Sequence, residues 1–358
     1  MEEKSLKHIK IGSLVLFLLY VGSTFMAAQE APRKYTALRA IEALHIDGKA
    51  DEPSWKNAEW SADFIDIEGV IKPSYKTQMK MLWDDTYLYF FAHLKEPHVW
   101  GTLKQRDTVI FYNNDFEIFI DSDGDTHNYM EFEVNTLNTV WDLFLTKPYR
   151  NHGKVLNSWD IQGLKTAVHI EGTLNDPKDT DTGWSVEIAI PWAVITQASN
   201  TKALPENEFW RINFSRVNWQ YNLKDGSYFR KQDKNGKYLP EYNWVWSPQG
   251  VINMHEPEHW GYVYFSTKES ESGADFEIPK DDYIKWYMYG LYRKLLQSEA
   301  NFETVKKEVL ATSKIIFGEE IKLQVDMHLT GWSIFTKSPF TKKTMVIKED
   351  GKFLNYEK

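Results

Sequence analysis

The chain has 358 residues, no cysteine and a formal net charge of −9. The missing thiols exclude a disulfide, a thiolate metal centre and a lipid-attachment cysteine, and the acidic balance argues against nucleic acid as a partner. Aromatic residues make up 15% of the chain, with 15 Trp among them, and such rings serve both sandwich interiors and stacking on the C–H face of a pyranose.

Lys4, Lys7 and Lys10 precede an apolar run over 11–21, followed by Gly22, Ser23 and the small pair Ala27 and Ala28. That order predicts a signal peptide over 1–28, cleaved near Ala28, and hence a periplasmic or secreted protein. The run is too short for a mature spanning helix, and no other segment is long and apolar enough to cross a membrane. Removing three Lys and two Glu with this segment deepens the net charge to −10.

Short alternating apolar runs then predict strands at 77–83, 88–94, 116–121, 129–135, 140–145, 167–171, 183–190, 210–219 and 262–266. Turn residues separate them at 84–85, 121–125, 175–181 and 234–237. This spacing, with almost no long amphipathic helix, predicts a mainly β fold: an antiparallel β-sandwich of jelly-roll or immunoglobulin-like type over 29–267. A polar linker (269–274) introduces a small α+β extension over 268–358. In it, Tyr283, Trp286, Tyr287, Gly290, Leu291 and Leu295 have helical spacing over 281–297, a second helix is expected at 301–312, and strands at 344–348 and 352–356 flank an Asp350–Gly351 turn.

Several ordered motifs carry a resemblance. They are the IDGKADEPSWKNAEW stretch (46–60), Trp83-Asp-Asp-x-Tyr-Leu-Tyr (83–89) and Asn114-Asp-Phe-Glu-Ile-Phe-Ile-Asp (114–121). The segments 129–135, Gly183-Trp-x-Val-Glu-Ile-Ala-Ile-Pro-Trp (183–192), Trp210-Arg-Ile-Asn-Phe-Ser-Arg (210–216) and 254–265 continue the series. In combination, over about 38–266, the chain resembles the family 9 carbohydrate-binding modules, the sugar-binding sandwiches commonly attached to xylanases. The resemblance implies an aromatic clamp on a sugar of a polysaccharide or oligosaccharide, read by acidic and amide side chains. It places Phe111 or Tyr112 at one jaw, Trp219 near the other, and Glu117, Arg216 and Asn218 as polar readers.

No cofactor is required for such binding. Asp121, Asp123 and Asp125 alternate in the turn 121–127, which suits an Asx-bonded hairpin turn. Because family 9 modules often carry structural calcium, Ca²⁺ on these three carboxylates is a second expectation. The turn is not an EF-hand, since Phe132 stands where a twelfth-position acid is needed. His255-Glu-Pro-Glu-His259 matches H-E-x-x-H, but Pro257 breaks the helical turn that would put both imidazoles on one face.

Catalysis finds less support. Glu131 and Glu133 lie side by side on one predicted strand face rather than opposed across a substrate. The expected function is therefore non-catalytic carbohydrate binding in support of polysaccharide catabolism, with a glycoside hydrolase or its accessory subunit as the alternative. A haem-carrying electron-transfer sandwich using His127, Met130, Met254 and His255 is a further alternative, which needs those side chains in one pocket.

Overall fold

The computed structural model describes residues 31–197, 203–270, 276–298 and 301–357. The expected signal peptide and part of the linker lie outside these residues. Two sheets face each other across an apolar core, and all nine expected sandwich strands are present, with Thr77–Trp83, Tyr129–Asn135 and Val140–Leu145 matching to the residue.

The first sheet runs in the order Val155–Leu156, Val140–Leu145, Tyr129–Asn135, Asp115–Asp121, Phe209–Asn218, Gly261–Phe265. The short strand Tyr242–Val245 also pairs with Phe209–Asn218, and carries Ile65–Asp66 on its other edge. The second sheet runs Thr77–Trp83, Tyr87–Lys95, Gly183–Pro191, Lys165–Glu171, all antiparallel. One strand departs from the antiparallel expectation. Lys34–Arg39 pairs in parallel with Gly261–Phe265 through its first four residues and with Thr77–Trp83 through its last two, so it joins the sheets at one edge.

Alternation decides which side chains fill the interior. Phe116, Ile118 and Ile120, Met130, Phe132 and Val134, and Ile212 and Phe214 face inward from the first sheet. They meet Met79, Met81, Phe90, Ala92, Val186 and Ile188 of the second. The odd-numbered residues of Asp115–Asp121 and Tyr129–Asn135 therefore lie on the outer face, where the site is built.

The extension has a second core around Ile284, Met288, Tyr292, Trp332, Ile334 and Ile347. Its long helix, Lys280–Leu296, follows Pro279, with Asp281 and Asp282 in the first turn and Arg293 and Lys294 in the last, each sign favoured by the helix dipole at that end. Helix Phe302–Ala311, a two-stranded hairpin (Ser313–Ile316, Glu319–Lys322) and a four-stranded sheet (Gln324–His328, Gly331–Lys337, Thr344–Lys348, Phe353–Tyr356) complete it. The Asp350–Gly351 turn falls where the sequence places it, Gly351 taking a left-handed φ of 92°.

The extension packs on the sandwich through polar contacts. Arg293 pairs with Glu258 at 2.6 Å. The Tyr262 hydroxyl donates to Asp282 at 2.5 Å, and Thr126 Oγ1 donates to the Gly351 carbonyl at 2.9 Å. Among the described residues no helix is long and apolar enough to cross a membrane.

Candidate saccharide site

A cleft of about 360 Å³ opens on the outer face of the first sheet. Register builds its floor. Trp141 lies opposite Glu133, Glu133 opposite Glu117, and Glu117 opposite Ser215, so one row across four strands reads Trp, Glu, Glu, Ser. The next row places Leu143, Glu131 and Phe119 side by side. Phe111, Tyr149, Arg150, Glu241, Asn243, Asn253 and Met254 stand around this floor.

Phe111 lines this cleft, and its placement has a clear cause. Its backbone N–H donates to Glu133 Oε2 at 3.0 Å, and its carbonyl accepts from Trp219 Nε1 at 2.7 Å. Trp219 therefore braces Phe111 from behind, packed with Trp100, Val217 and Tyr228, and is not the opposing jaw. Tyr112 points away: it is 45% exposed, its ring 4.4 Å from the Arg230 guanidinium. The rings that share the cleft with Phe111 are Trp141 and Tyr149.

Glu117 lies in the cleft, whereas Arg216 and Asn218 do not. Both follow Ile212 and Phe214 in the two-residue alternation, which turns them to the inner face. There Arg216 Nη2 bonds Glu96 Oε2 at 2.6 Å, and its Nη1 reaches Thr77 Oγ1 and the Lys95 carbonyl, each at 3.0 Å. Asn218 and Asn114 donate to the same Glu96 oxygen at 2.9 and 3.2 Å. Burial raises the Glu96 pKa and the guanidinium opposes the rise. These residues are a buried structural network, which corrects the expectation that they read sugar hydroxyls.

The cleft is strongly acidic. Glu117, Glu131, Glu133 and Glu241 line it, while the lining holds a single Arg or Lys, Arg150. Burial pushes Glu117 up to about 7, against the Ser215 hydrogen bond and with help from Glu241. Burial and then repulsion from Glu117 hold Glu131 and Glu133 well above the carboxylate range. His255 closes one end, its Nδ1 2.7 Å from the Tyr129 hydroxyl, and burial lowers it to about 3, so it stays neutral.

Sequence reasoning passed over Trp141, Tyr149, Asn243 and Asn253, and weighed Glu131 and Glu133 only as catalytic acids. The usable signal was the pairing of Trp141-x-Leu143-x-Leu145 with Glu131-x-Glu133, two outward-facing rows on adjacent strands.

The Asp121–Asp125 turn brings its three carboxylates together, as the spacing predicts, with oxygens within 4.8 Å of one another. Side chains of the extension compete with calcium for this turn. Asp121 accepts from the backbone N–H of Gly124 at 2.9 Å and of Thr126 at 2.8 Å, one bond to each of its oxygens. Asp125 pairs with Lys352 at 2.9 Å, and Lys285 donates to the Gly124 carbonyl. Two lysines of the extension thus supply the charge that the resemblance assigned to Ca²⁺.

Pro257 opens a three-residue 3-10 turn, so His255 and His259 share no α-helical face. The haem set is scattered as well. Met130 is in the core and His127 lies 3.4 Å from Asp350, leaving only Met254 and His255 in the cleft.

Residues 46–209 match the family model described as carbohydrate family 9 binding domain-like. That match spans just under half of the chain, which over this stretch resembles the family. Among curated proteins it is similar to endo-1,4-beta-xylanase A of Thermoanaerobacterium saccharolyticum and of Thermotoga maritima, 28% identical to each over 157 residues. Those alignments cover 44% of this chain but only 11% and 13% of the two relatives. Among solved structures, a family 9 module from Caldicellulosiruptor kristjanssonii in complex with cellotriose aligns with a TM-score of 0.43 at 16% identity, over 69% of this chain and 100% of that one. A carbohydrate-binding protein from Bacteroides uniformis, itself described as putative, aligns at 0.47 and 16% identity, over 66% and 100%. The family 9-like match ends at residue 209, so Asn243, Asn253 and His255 are added to its cleft by strands and loops beyond it.

Proposed function

We propose that this chain binds carbohydrate without catalysing its cleavage, holding one pyranose in the cleft on the outer face of the family 9-like sheet. The observation that carries this reading is the row Trp141–Glu133–Glu117 with Phe111 beside it: rings for the sugar's C–H faces next to carboxylates that accept from its hydroxyls. The site stacks with Phe111, Trp141 and Tyr149, and reads hydroxyls with Glu117, Glu131, Asn243 and Asn253. The endo-1,4-beta-xylanase relatives support a β-linked glycan as the ligand class. A role in polysaccharide catabolism, after export by the segment 1–28, is consistent with that ligand class.

Non-catalytic binding is favoured over hydrolysis by geometry. Glu117, Glu131 and Glu133 all rise from one sheet face, whereas glycoside hydrolysis needs an acid and a partner on opposite sides of the bond, ~5–10 Å apart. Weak stacking and hydrogen bonds predict micromolar to millimolar affinity, about −4 to −8 kcal/mol. Calorimetric titration with xylose-, glucose-, mannose- and galactose-based oligosaccharides tests the reading. Saturable binding to one class, lost in Phe111→Ala and Trp141→Ala and kept in Asn218→Ala, is expected. Binding that survives the first two substitutions overturns this site.

A further inference from the structure

Beneath the rings, the cleft floor holds carboxylates in an arrangement that a sugar alone does not explain. Asp115, Glu117 and Glu133 each offer an oxygen within 4.8 Å of the others, and they are 0%, 6% and 1% exposed. Asp115 and Glu117 are two apart on one strand, and Glu133 is Glu117's register partner, so the three converge on the outer face. Glu133 Oε2 is taken by the Phe111 N–H and one Asp115 oxygen by the Val217 N–H. The other, Asp115 Oδ2, is fully buried without a hydrogen-bond partner among the described residues. A buried acceptor left unmet is costly, and too deep here for a sugar hydroxyl to reach.

Among the described residues no Lys or Arg pairs with these three carboxylates, although the charge of Arg216 acts on Asp115. Arg216, on the inner face, spends its hydrogen bonds on Glu96, Thr77 and the Lys95 carbonyl. Arg150, at the rim, donates to the Ile252 carbonyl. The contrast with the Asp121–Asp125 turn, where Lys285 and Lys352 are inserted, is direct.

We propose that Asp115, Glu117 and Glu133 bind one hard divalent cation, of the calcium type, at the floor of the cleft. Three one-oxygen carboxylate ligands leave at least half of the six to eight positions of Ca²⁺ unfilled, and Glu117 and Glu133 open those positions toward the cleft. Water fills them in the free protein. A vicinal diol of the saccharide takes two of them on binding, a coupling that rests on the carbohydrate reading above. The oxygen-only donor set excludes a preference for zinc or copper.

The test is calorimetric titration of CaCl₂ into the chelator-stripped full chain and into the Asp115→Asn, Glu133→Gln and Asp123→Asn variants. Each substitution is nearly isosteric and removes repulsion, and circular dichroism checks that each variant is folded. Terbium, excited through the nearby Trp141, gives a second readout of the same site. The expected result is one site per chain, weakened at least about tenfold by Asp115→Asn and Glu133→Gln and unchanged by Asp123→Asn. No calcium or terbium binding, or binding lost only in Asp123→Asn, overturns the proposal. So does binding of glucosamine without calcium, which would make the cluster an ammonium site. Oligosaccharide titrations with calcium and with EDTA separate the two readings. Sugar bound equally in both removes the diol coupling and keeps the carbohydrate site. Calcium bound at the trio with no sugar bound at all keeps the cation site and overturns the carbohydrate site.

Discussion

Two carboxylate clusters share the strand Asp115–Asp121, one at each end, and the chain treats them oppositely. At the C-terminal end, Asp121 and Asp125 meet Lys285 and Lys352, brought in from the extension. At the N-terminal end, Glu117 and Glu133 line a cleft whose lining holds no lysine, with Asp115 fully buried beside them. Glu96, on the inner side of the same sandwich, has a guanidinium to itself. A buried charge that has been met by a side chain belongs to the architecture. One left unmet is available to a ligand.

The sharpest way to break this contrast is to delete one carboxylate of each kind. Glu96→Ala leaves the fully buried Arg216 guanidinium unpaired and is expected to cost about 3–5 kcal/mol, read from the urea midpoint. Glu133→Gln, in EDTA, removes repulsion rather than attraction, so stability is expected to hold or rise. A large loss in Glu133→Gln would show that the cleft cluster is structural after all.

Acidity sharpens the comparison next. The folded pKa of Glu117 is raised from 4.5 to about 7, so its neutral form is favoured on folding. Its contribution to stability is full below about pH 4.5 and is lost as pH rises through 7. His255, lowered from 6.5 to about 3, acts the other way and favours the folded state above about pH 6.5. The difference between wild type and Glu117→Gln cancels His255. In EDTA the wild type is expected to lose about 2–3 kcal/mol relative to the variant between pH 4.5 and 8, which thermal melts across that range would reveal. Equal slopes would place Glu117 in contact with solvent.

The lysine-filled turn gives a smaller effect with an informative sign. Replacing Lys285 and Lys352 together by Met is expected to cost about 1–3 kcal/mol, because Asp121 and Asp125 lose their cations. Calcium should then raise the melting temperature of the double variant through this turn. If it does not, the turn geometry, and not the lysines, keeps calcium out.

Much of this was legible in the chain. Alternation located nine sandwich strands, and Phe111 and Glu117, which the structure puts in the cleft, were among the residues the resemblance singled out. The same alternation already contained the correction for Arg216 and Asn218, since Ile212 and Phe214 fix the buried parity of that strand. Trp219 immediately follows the last strand residue, Asn218, so alternation along the strand does not fix where its ring goes. Tyr149, Asn243 and Asn253 were invisible because a short turn, a short edge strand and a loop carry them to the cleft from positions more than twenty residues from Glu117, and no local period records that folding step. Lys285 and Lys352 were hidden for the same reason: charge neutralisation at Asp121 comes from another part of the chain.

The smallest effect concerns a carboxylate paired in the open. Arg39 and Asp85 form an ion pair at 2.5 Å, with side-chain exposures of 26% and 73%. Water competes for both groups and salt screens them, so the short distance does not translate into stability. Asp85→Asn is expected to change the urea midpoint by no more than about 0.5 kcal/mol in 0.15 M salt. The guanidinium also lies 4.9 Å from the Trp83 ring, a contact that survives the substitution and retains the side chain's position. A loss above 1 kcal/mol would mean that distance alone, and not burial, governs how this protein's carboxylates contribute. The distinction drawn between its two acid clusters would then fail with it.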